Sequence, residues 1–359
     1  MKLIKQSLKL ISFRFTKRSF IVFVINVVAA FLMTVVPHLN VQQSWVSPLP
    51  NKVDTLQIIE PKLKQKDNNF RLTVPGIKQN FIPIVSAGQD YEEASGFGVI
   101  DLDSGEIIAS KNLDKKLPIA SLTKVMTAVV ALDLADLDEN FTVSEKAASQ
   151  IPTKVALKSG ESYSLDHLIK HALISSANDS AQVIKEGIDK KYGEEAFLKA
   201  MNRKAEILGM KNSMFTNPQG FDNSNHYSTV EDLSILSHYA LTNYPFIAEV
   251  VGEEIIDLTN NWADRRFYLQ NWNGLLGIYP GAKGLKIGNT EGSGNCTIVF
   301  AQRNGKRILS IVLGAPGVLE RDLWASQLLD LGFNRVGLDA VSVTEKQLKD
   351  KYASWITFR

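Results

Sequence analysis

The run Val125-Met126-Thr127-Ala128-Val129-Val130-Ala131-Leu132 is apolar on nearly every side of a helix, and such a helix is stable only inside a core. The fold must therefore be built around it. Immediately before it stands Pro118-Ile119-Ala120-Ser121-Leu122-Thr123-Lys124, which puts a serine and a lysine three residues apart at the helix start. Residues at that spacing share a face, so the hydroxyl and the amine can meet. Burial disfavours the ammonium and lowers the lysine pKa, and a neutral lysine can accept a serine proton. The helix N-terminus opposes protonation of Lys124 and stabilises negative charge at Ser121. Taken alone, Ser-x-x-Lys also arises by chance as a capping serine beside a solvated lysine, so the motif needs context.

The ends of the chain are different in kind. Six basic residues (Lys2, Lys5, Lys9, Arg14, Lys17, Arg18) precede Phe20, and no acidic residue occurs before Asp54. The rest of the chain holds 34 basic and 38 acidic residues, so the basic excess belongs to a terminal arm and a nucleic-acid partner is not expected. Phe20 to Val36 is apolar except for Asn26 and Thr34, and as a helix it spans roughly 25 Å. The charge bias predicts residues 1–18 as a cytoplasmic arm, 19–36 as a transmembrane signal-anchor, and the body outside the cell membrane. A cleaved signal peptide reads similarly, but no small-x-small site follows the run. Residues 37–84, with six prolines among polar residues, read as an extracytoplasmic linker.

In the body, Gly98–Leu102 and Glu106–Ala109 flank Asp103-Ser104-Gly105, and Cys296–Ala301 and Arg307–Leu313 flank Asn304-Gly305, giving a hairpin at each end. Between them the pattern is mainly helical. Ser164 caps a helix through Leu165, Leu168, Ile169, Ala172 and Leu173, and Ser228-x-x-Glu231 reads as a capping box. Strands at both ends with helices between predict an α+β fold.

Two further motifs supply the context for Ser121. Ser176-x-Asn178 follows an apolar helix, and Gly284-Leu285-Lys286-Ile287-Gly288-Asn289-Thr290 reads as a strand. Ser-x-x-Lys, Ser-x-Asn and Lys-Thr-Gly, in this order, occur in serine β-lactamases and penicillin-binding proteins. The chain resembles the D-alanyl-D-alanine carboxypeptidase family of low-molecular-mass penicillin-binding proteins. The resemblance covers residues 85–335 and includes Ile119–Ala128, Ser176–Asp179, Met201-Asn202, Leu208–Met210, Asn217–Gly220 and Gly284–Lys286. It implies a β-lactamase/transpeptidase-like fold: an antiparallel sheet flanked by helices plus an all-helical lobe, with the site at their junction. It also implies Ser121 as nucleophile, Lys124 as base, Ser176 as proton relay, Asn178 as a partner of substrate and Lys124, and Lys286 as a source of positive potential. The backbone amides of Ser121 and Asn289 would form the oxyanion hole. Gly288 would keep the strand open for substrate, and Arg307 is a candidate contact for the terminal carboxylate.

The implied partners are peptidoglycan stem peptides as substrate, β-lactams as acylating inhibitors and the membrane through the N-terminal helix. No metal or organic cofactor is implied. One departure is Ile287, where the family has threonine: the β-branched shape remains but a hydroxyl donor is lost. D,D-endopeptidase activity on existing cross-links is therefore the nearest rival to carboxypeptidase activity, and a non-catalytic wall-binding protein is the rival from another class.

Other signals are weaker. His167 and His171 are spaced like metal ligands, but Leu168 replaces the glutamate of a zinc-protease motif, and both read as surface residues. Cys296 reads as strand packing. Neither a Gly-x-Ser-x-Gly elbow nor a phosphate loop is present. Residues 336–359 read as a C-terminal tail that docks or frays.

Overall fold

In the computed structural model, which describes residues 55–64, 70–73, 90–260 and 265–355, the apolar runs at the two ends of the body join one sheet. β1 (Gly96–Asp101) and β2 (Ile107–Lys111) form the first hairpin. Two small two-stranded sheets follow, β3 (Asn140–Thr142) with β4 (Ser162–Ser164) and β5 (Ile255–Asn260) with β6 (Arg265–Gln270). β7 (Ala282–Thr290), β8 (Gly294–Arg303) and β9 (Lys306–Ala315) complete the set. The main sheet is antiparallel in the order β2-β1-β9-β8-β7, so β7 is an edge strand. Asn304 and Gly305, at φ 48° and 78°, make the two-residue turn between β8 and β9 that the dipeptide predicts.

Helices cover both faces of the sheet. α1 (Thr55–Ile59) precedes the sheet; α2 (Thr123–Leu134), α3 (Glu145–Ala148), α4 (Leu165–Ile174), α5 (Asn178–Tyr192), α6 (Ala196–Leu208), α7 (Val230–Asn243) and α8 (Pro245–Val250) follow the first hairpin. α9 (Val318–Arg335) and α10 (Glu345–Ser354) close the described chain. Alternation along β8 and β9 divides the core in two. Ile298, Phe300, Leu309, Ile311 and Leu313 face the helical lobe with Val125, Met126 and Val129 of α2, whereas Val299, Ile308 and Val312 meet Trp324, Leu328 and Phe333 of α9. α2 is buried almost throughout, as its all-round apolarity requires.

Several expectations need correction. Part of the expected linker belongs to the body, because Ile59 and Leu63 are buried in the lobe core and residues 70–73 reach the sheet, where Thr73 pairs with Glu106. The spacing Leu56, Ile59, Leu63 is helical, but the surrounding prolines obscured it. The remaining linker residues, the basic arm and the apolar segment 19–36 lie outside the described residues. α7 is capped one residue later than expected: Thr229 accepts from Asp232 N at 3.0 Å, and Ser228 instead faces Ser213. Ser164 caps α4 as expected. The helical lobe also carries the two small hairpins, and the C-terminal tail docks: Leu348 is buried and Tyr352 donates to Asp322 at 2.9 Å.

His171 is not a surface residue. It is fully buried, its ring lies 4.6 Å from that of Phe267, and neither ring nitrogen has a hydrogen-bond partner among the described residues. Burial first, and then the charges of His167, Arg265 and Lys170, bring its pKa from 6.5 down to about 3. The folded state thus holds this proton less tightly than the unfolded chain. The stability gained from a neutral His171 is complete above the unfolded pKa and is lost as pH falls towards the folded one. Its share of the acid slope is about 1.4 kcal/mol per pH unit, one proton taken up on unfolding. His171→Phe is expected to remove that share between about pH 6 and about pH 4, measurable as a flatter pH dependence of the urea midpoint. An unchanged slope would contradict the assignment.

Candidate active site

Ser121 sits in a tight 3-10 turn, Ala120–Leu122, that runs directly into α2. Ala120 takes a positive φ of 47°, unusual for a residue with a side chain. Thr123 Oγ1 donates to Ala120 O at 2.8 Å, which braces the turn from within. One helical turn on, Lys124 is completely buried, and its Nζ lies 2.8 Å from each of three oxygens: Ser121 Oγ, Asn178 Oδ1 and Gln219 O.

The Lys124 pKa is well below the usual lysine value, through burial first and then the charge of Lys286, with Asp179 opposing. For the neutral amine, the partners set the direction of each bond. Gln219 O can only accept, and Asn178 Oδ1 faces Lys124 because the amide nitrogen donates to Ile151 O at 3.2 Å. A neutral amine has two protons, and these two carbonyls take them. Its lone pair is left for Ser121 Oγ, so the hydroxyl donates to the amine.

Both flanks of this pair are set by backbone chemistry. Asn178 begins α5 with its amide donating to Thr153 O at 2.8 Å, and Asp179 accepts from Val155 N and Leu157 N at 3.3 and 3.0 Å, which holds the 153–157 loop. Burial raises the Asp179 pKa although these amides oppose it. On the other flank, Asn217 Oδ1 accepts from Gly220 N and Phe221 N at 2.7 and 2.9 Å, forming the turn that presents Gln219 O. At Gly220, φ is 95° and a Cβ would lie 1.9 Å from Ala120 O, so only glycine lets this turn reach the serine. The role of Gln219 was not read from the sequence, because a backbone carbonyl leaves no mark in residue type; only the turn chemistry of Asn217-Pro218-Gln219-Gly220 hinted at it.

β7 forms the third wall. A Cβ at Gly288 would stand 2.8 Å from Ser121 N, so the edge strand passes directly beside the serine turn. Lys286, two residues earlier, is buried and donates to Ile287 O at 3.0 Å; burial and the nearby Arg321 bring its pKa to about 7. The Arg321 charge is itself paired with Asp322 at 2.7 Å. Ser121, Asn178, Ile151, Phe221, Asp222 and Asn289 line an open cleft of about 380 Å³.

Two expected residues stand apart. Ser176 lies in the turn between α4 and α5 at φ 57°, buried, with no hydrogen bond to Ser121 or Lys124. Arg307 is misplaced in the sequence reading: β9 lies next to β1 and β8, not beside β7, and Arg307 Nε donates to Asp103 Oδ1 at 2.6 Å by the β1–β2 turn. With its guanidinium held there, it does not contact a carboxylate at β7. Among the described residues no cluster of His, Cys, Asp and Glu could hold a metal ion.

The sequence profile of the D-alanyl-D-alanine carboxypeptidase family matches residues 85–317. The chain belongs to this family. It is similar to D-alanyl-D-alanine carboxypeptidase DacF of Bacillus subtilis strain 168, with 32% identity over 267 residues, 71% of this chain and 68% of that protein. It is also similar to a D-alanyl-D-alanine endopeptidase of Escherichia coli K12, 32% identical over 251 residues, 66% of this chain and 76% of that one. Among solved structures, ampicillin-bound penicillin-binding protein D2 of Listeria monocytogenes superposes with a TM-score of 0.57 at 31% identity, covering 67% of this chain and 97% of its own. The D-alanyl-D-alanine carboxypeptidase DacD of Francisella tularensis, 24% identical with a TM-score of 0.62, covers 79% of this chain and 75% of its own and supports the fold.

Proposed function

We propose that this serine carboxypeptidase removes the terminal D-alanine of peptidoglycan stem peptides through an acyl-enzyme on Ser121. The observation that carries this reading is the 2.8 Å contact between Ser121 Oγ and a fully buried Lys124 whose two other partners are carbonyls. Ser121 Oγ attacks the carbonyl between the two D-alanines while its proton passes to Lys124 Nζ. The oxyanion is held by the amides of Ser121 and Asn289, and Lys286 adds positive potential. Lys124 returns the proton to the departing D-alanine amine, and water then releases the shortened peptide. β-Lactams, which present a reactive amide of similar shape, acylate the same oxygen.

The second reading, D,D-endopeptidase, is favoured by Ile287. The hydroxyl missing there would donate to a free terminal carboxylate, which an internal cross-link lacks. Release of D-alanine from a D-alanyl-D-alanine peptide, compared with cleavage of cross-linked dimers, separates the two; failure on both would overturn the enzymatic reading. Ile287→Thr is expected to speed D-alanine release roughly tenfold to a hundredfold, the worth of one hydrogen bond to a charged group. An unchanged rate would remove Ile287 from the account.

The basic arm and the apolar segment 19–36 support anchoring in the cell membrane with the catalytic domain outside. Both lie beyond the described residues, among which no helix is long and apolar enough to cross a membrane. Alkaline extraction of membranes and protease protection of the intact chain test this placement.

A further inference from the structure

The serine turn is braced by a residue outside the catalytic set. His226 is buried at 3% exposure, on the stretch that follows the Gln219 turn, and its Nε2 lies 2.7 Å from Thr123 Oγ1. Its other nitrogen, Nδ1, is 3.1 Å from Thr216 N. A backbone N–H can only donate, so Nδ1 is the acceptor and the ring proton of the neutral imidazole resides on Nε2. Burial supports the neutral form, with the pKa down to about 4 against the opposing charge of Asp222.

The direction of the whole chain follows. Nε2–H donates to Thr123 Oγ1, and Thr123 uses its single proton on Ala120 O at 2.8 Å. The carbonyl of Ala120 and the N–H of Ser121 belong to the same planar peptide group, so fixing one end fixes the aim of the other. Donation to the carbonyl also polarises the peptide and strengthens its N–H as a donor. The group needs an external brace because Ala120 is held at a φ of 47°.

We propose that His226 is a positioning residue for acylation: acting through Thr123, it orients the Ala120–Ser121 peptide whose N–H stabilises the oxyanion. This rests on Ser121 being the nucleophile. A brace of this kind affects the step in which negative charge develops and leaves ground-state binding nearly unchanged.

The test is pre-steady-state acylation by a fluorescent penicillin, separating the reversible binding constant from the acylation rate, with a thermal melt of each variant. His226→Ala and Thr123→Val are each expected to slow acylation about tenfold to a hundredfold with binding changed less than about threefold. Thr123→Ser, which keeps the hydroxyl, and His226→Gln, which offers both a donor and an acceptor, are expected to recover most of the rate. The double variant His226→Ala/Thr123→Val is expected to be little slower than either single one, because both cut the same chain. Additive losses, unimpaired acylation in His226→Ala, or losses that track unfolding in the melts would overturn the proposal while leaving Ser121 as nucleophile. An unmodified protein that fails to acylate would overturn both.

Discussion

Replacing Lys124 with methionine is expected to slow acylation by a fluorescent penicillin by about 10²- to 10⁴-fold, the usual worth of a positioned general base. Methionine fills similar space but has no lone pair to receive the Ser121 proton. Lys124→Arg should not rescue the rate, because a guanidinium stays protonated and cannot accept that proton. Lys124→Met avoids the cost of stripping a proton that the unfolded chain keeps below the ordinary lysine range, but it leaves Asn178 Oδ1 and Gln219 O without their donor. A thermal melt of Lys124→Met, expected to stay cooperative, separates lost chemistry from lost structure. In the unmodified protein, acylation should fall as acid protonates Lys124, and fall again above about pH 7 as Lys286 loses its charge. A stopped-flow pH profile checks both limbs.

Asp133→Ala is expected to destabilise the protein by about 3–5 kcal/mol, the cost of leaving a buried charge without its partner. The side chains of Asp133 and Lys204 are both fully buried, 2.9 Å apart. Asp133 also accepts from Tyr244 OH at 2.7 Å and Lys64 N at 3.2 Å, while Lys204 donates to Lys64 O at 2.6 Å. This network therefore holds both backbone groups of Lys64, which follows α1, against α2 and α6. Removing both charges with Asp133→Leu/Lys204→Met should recover much of the loss, since no buried ion is then unpaired. Urea denaturation of the two variants measures this; a loss below about 1 kcal/mol for Asp133→Ala would show that water reaches the lysine.

What the sequence disclosed and what it hid divides by range along the chain. The hairpin at Asn304-Gly305, the strand Gly284–Thr290, the cap at Ser164 and the buried helix after Lys124 all carry local signals of turn chemistry and period, and all four form. Strand order carries no local signal, which is why Arg307 was placed beside β7 when β8 intervenes. The burial of His171 depends on Phe267 of a hairpin almost a hundred residues away, so its own helix could not reveal it. In the site, the side chains of Ser121, Lys124 and Asn178 were legible because motifs name them; the carbonyl of Gln219 and the brace through His226 were not, because one is backbone and the other acts at second hand.

The central claim is that Ser121, alone among the serines of the described residues, faces an amine free to take its proton. Exposure of the intact protein to benzylpenicillin, followed by proteolysis and mass mapping, tests it most directly. The account predicts one covalent adduct, on the peptide containing Ser121, that is lost in Ser121→Ala and formed far more slowly in Lys124→Met. An adduct on another residue, or undiminished labelling of Lys124→Met, would contradict it.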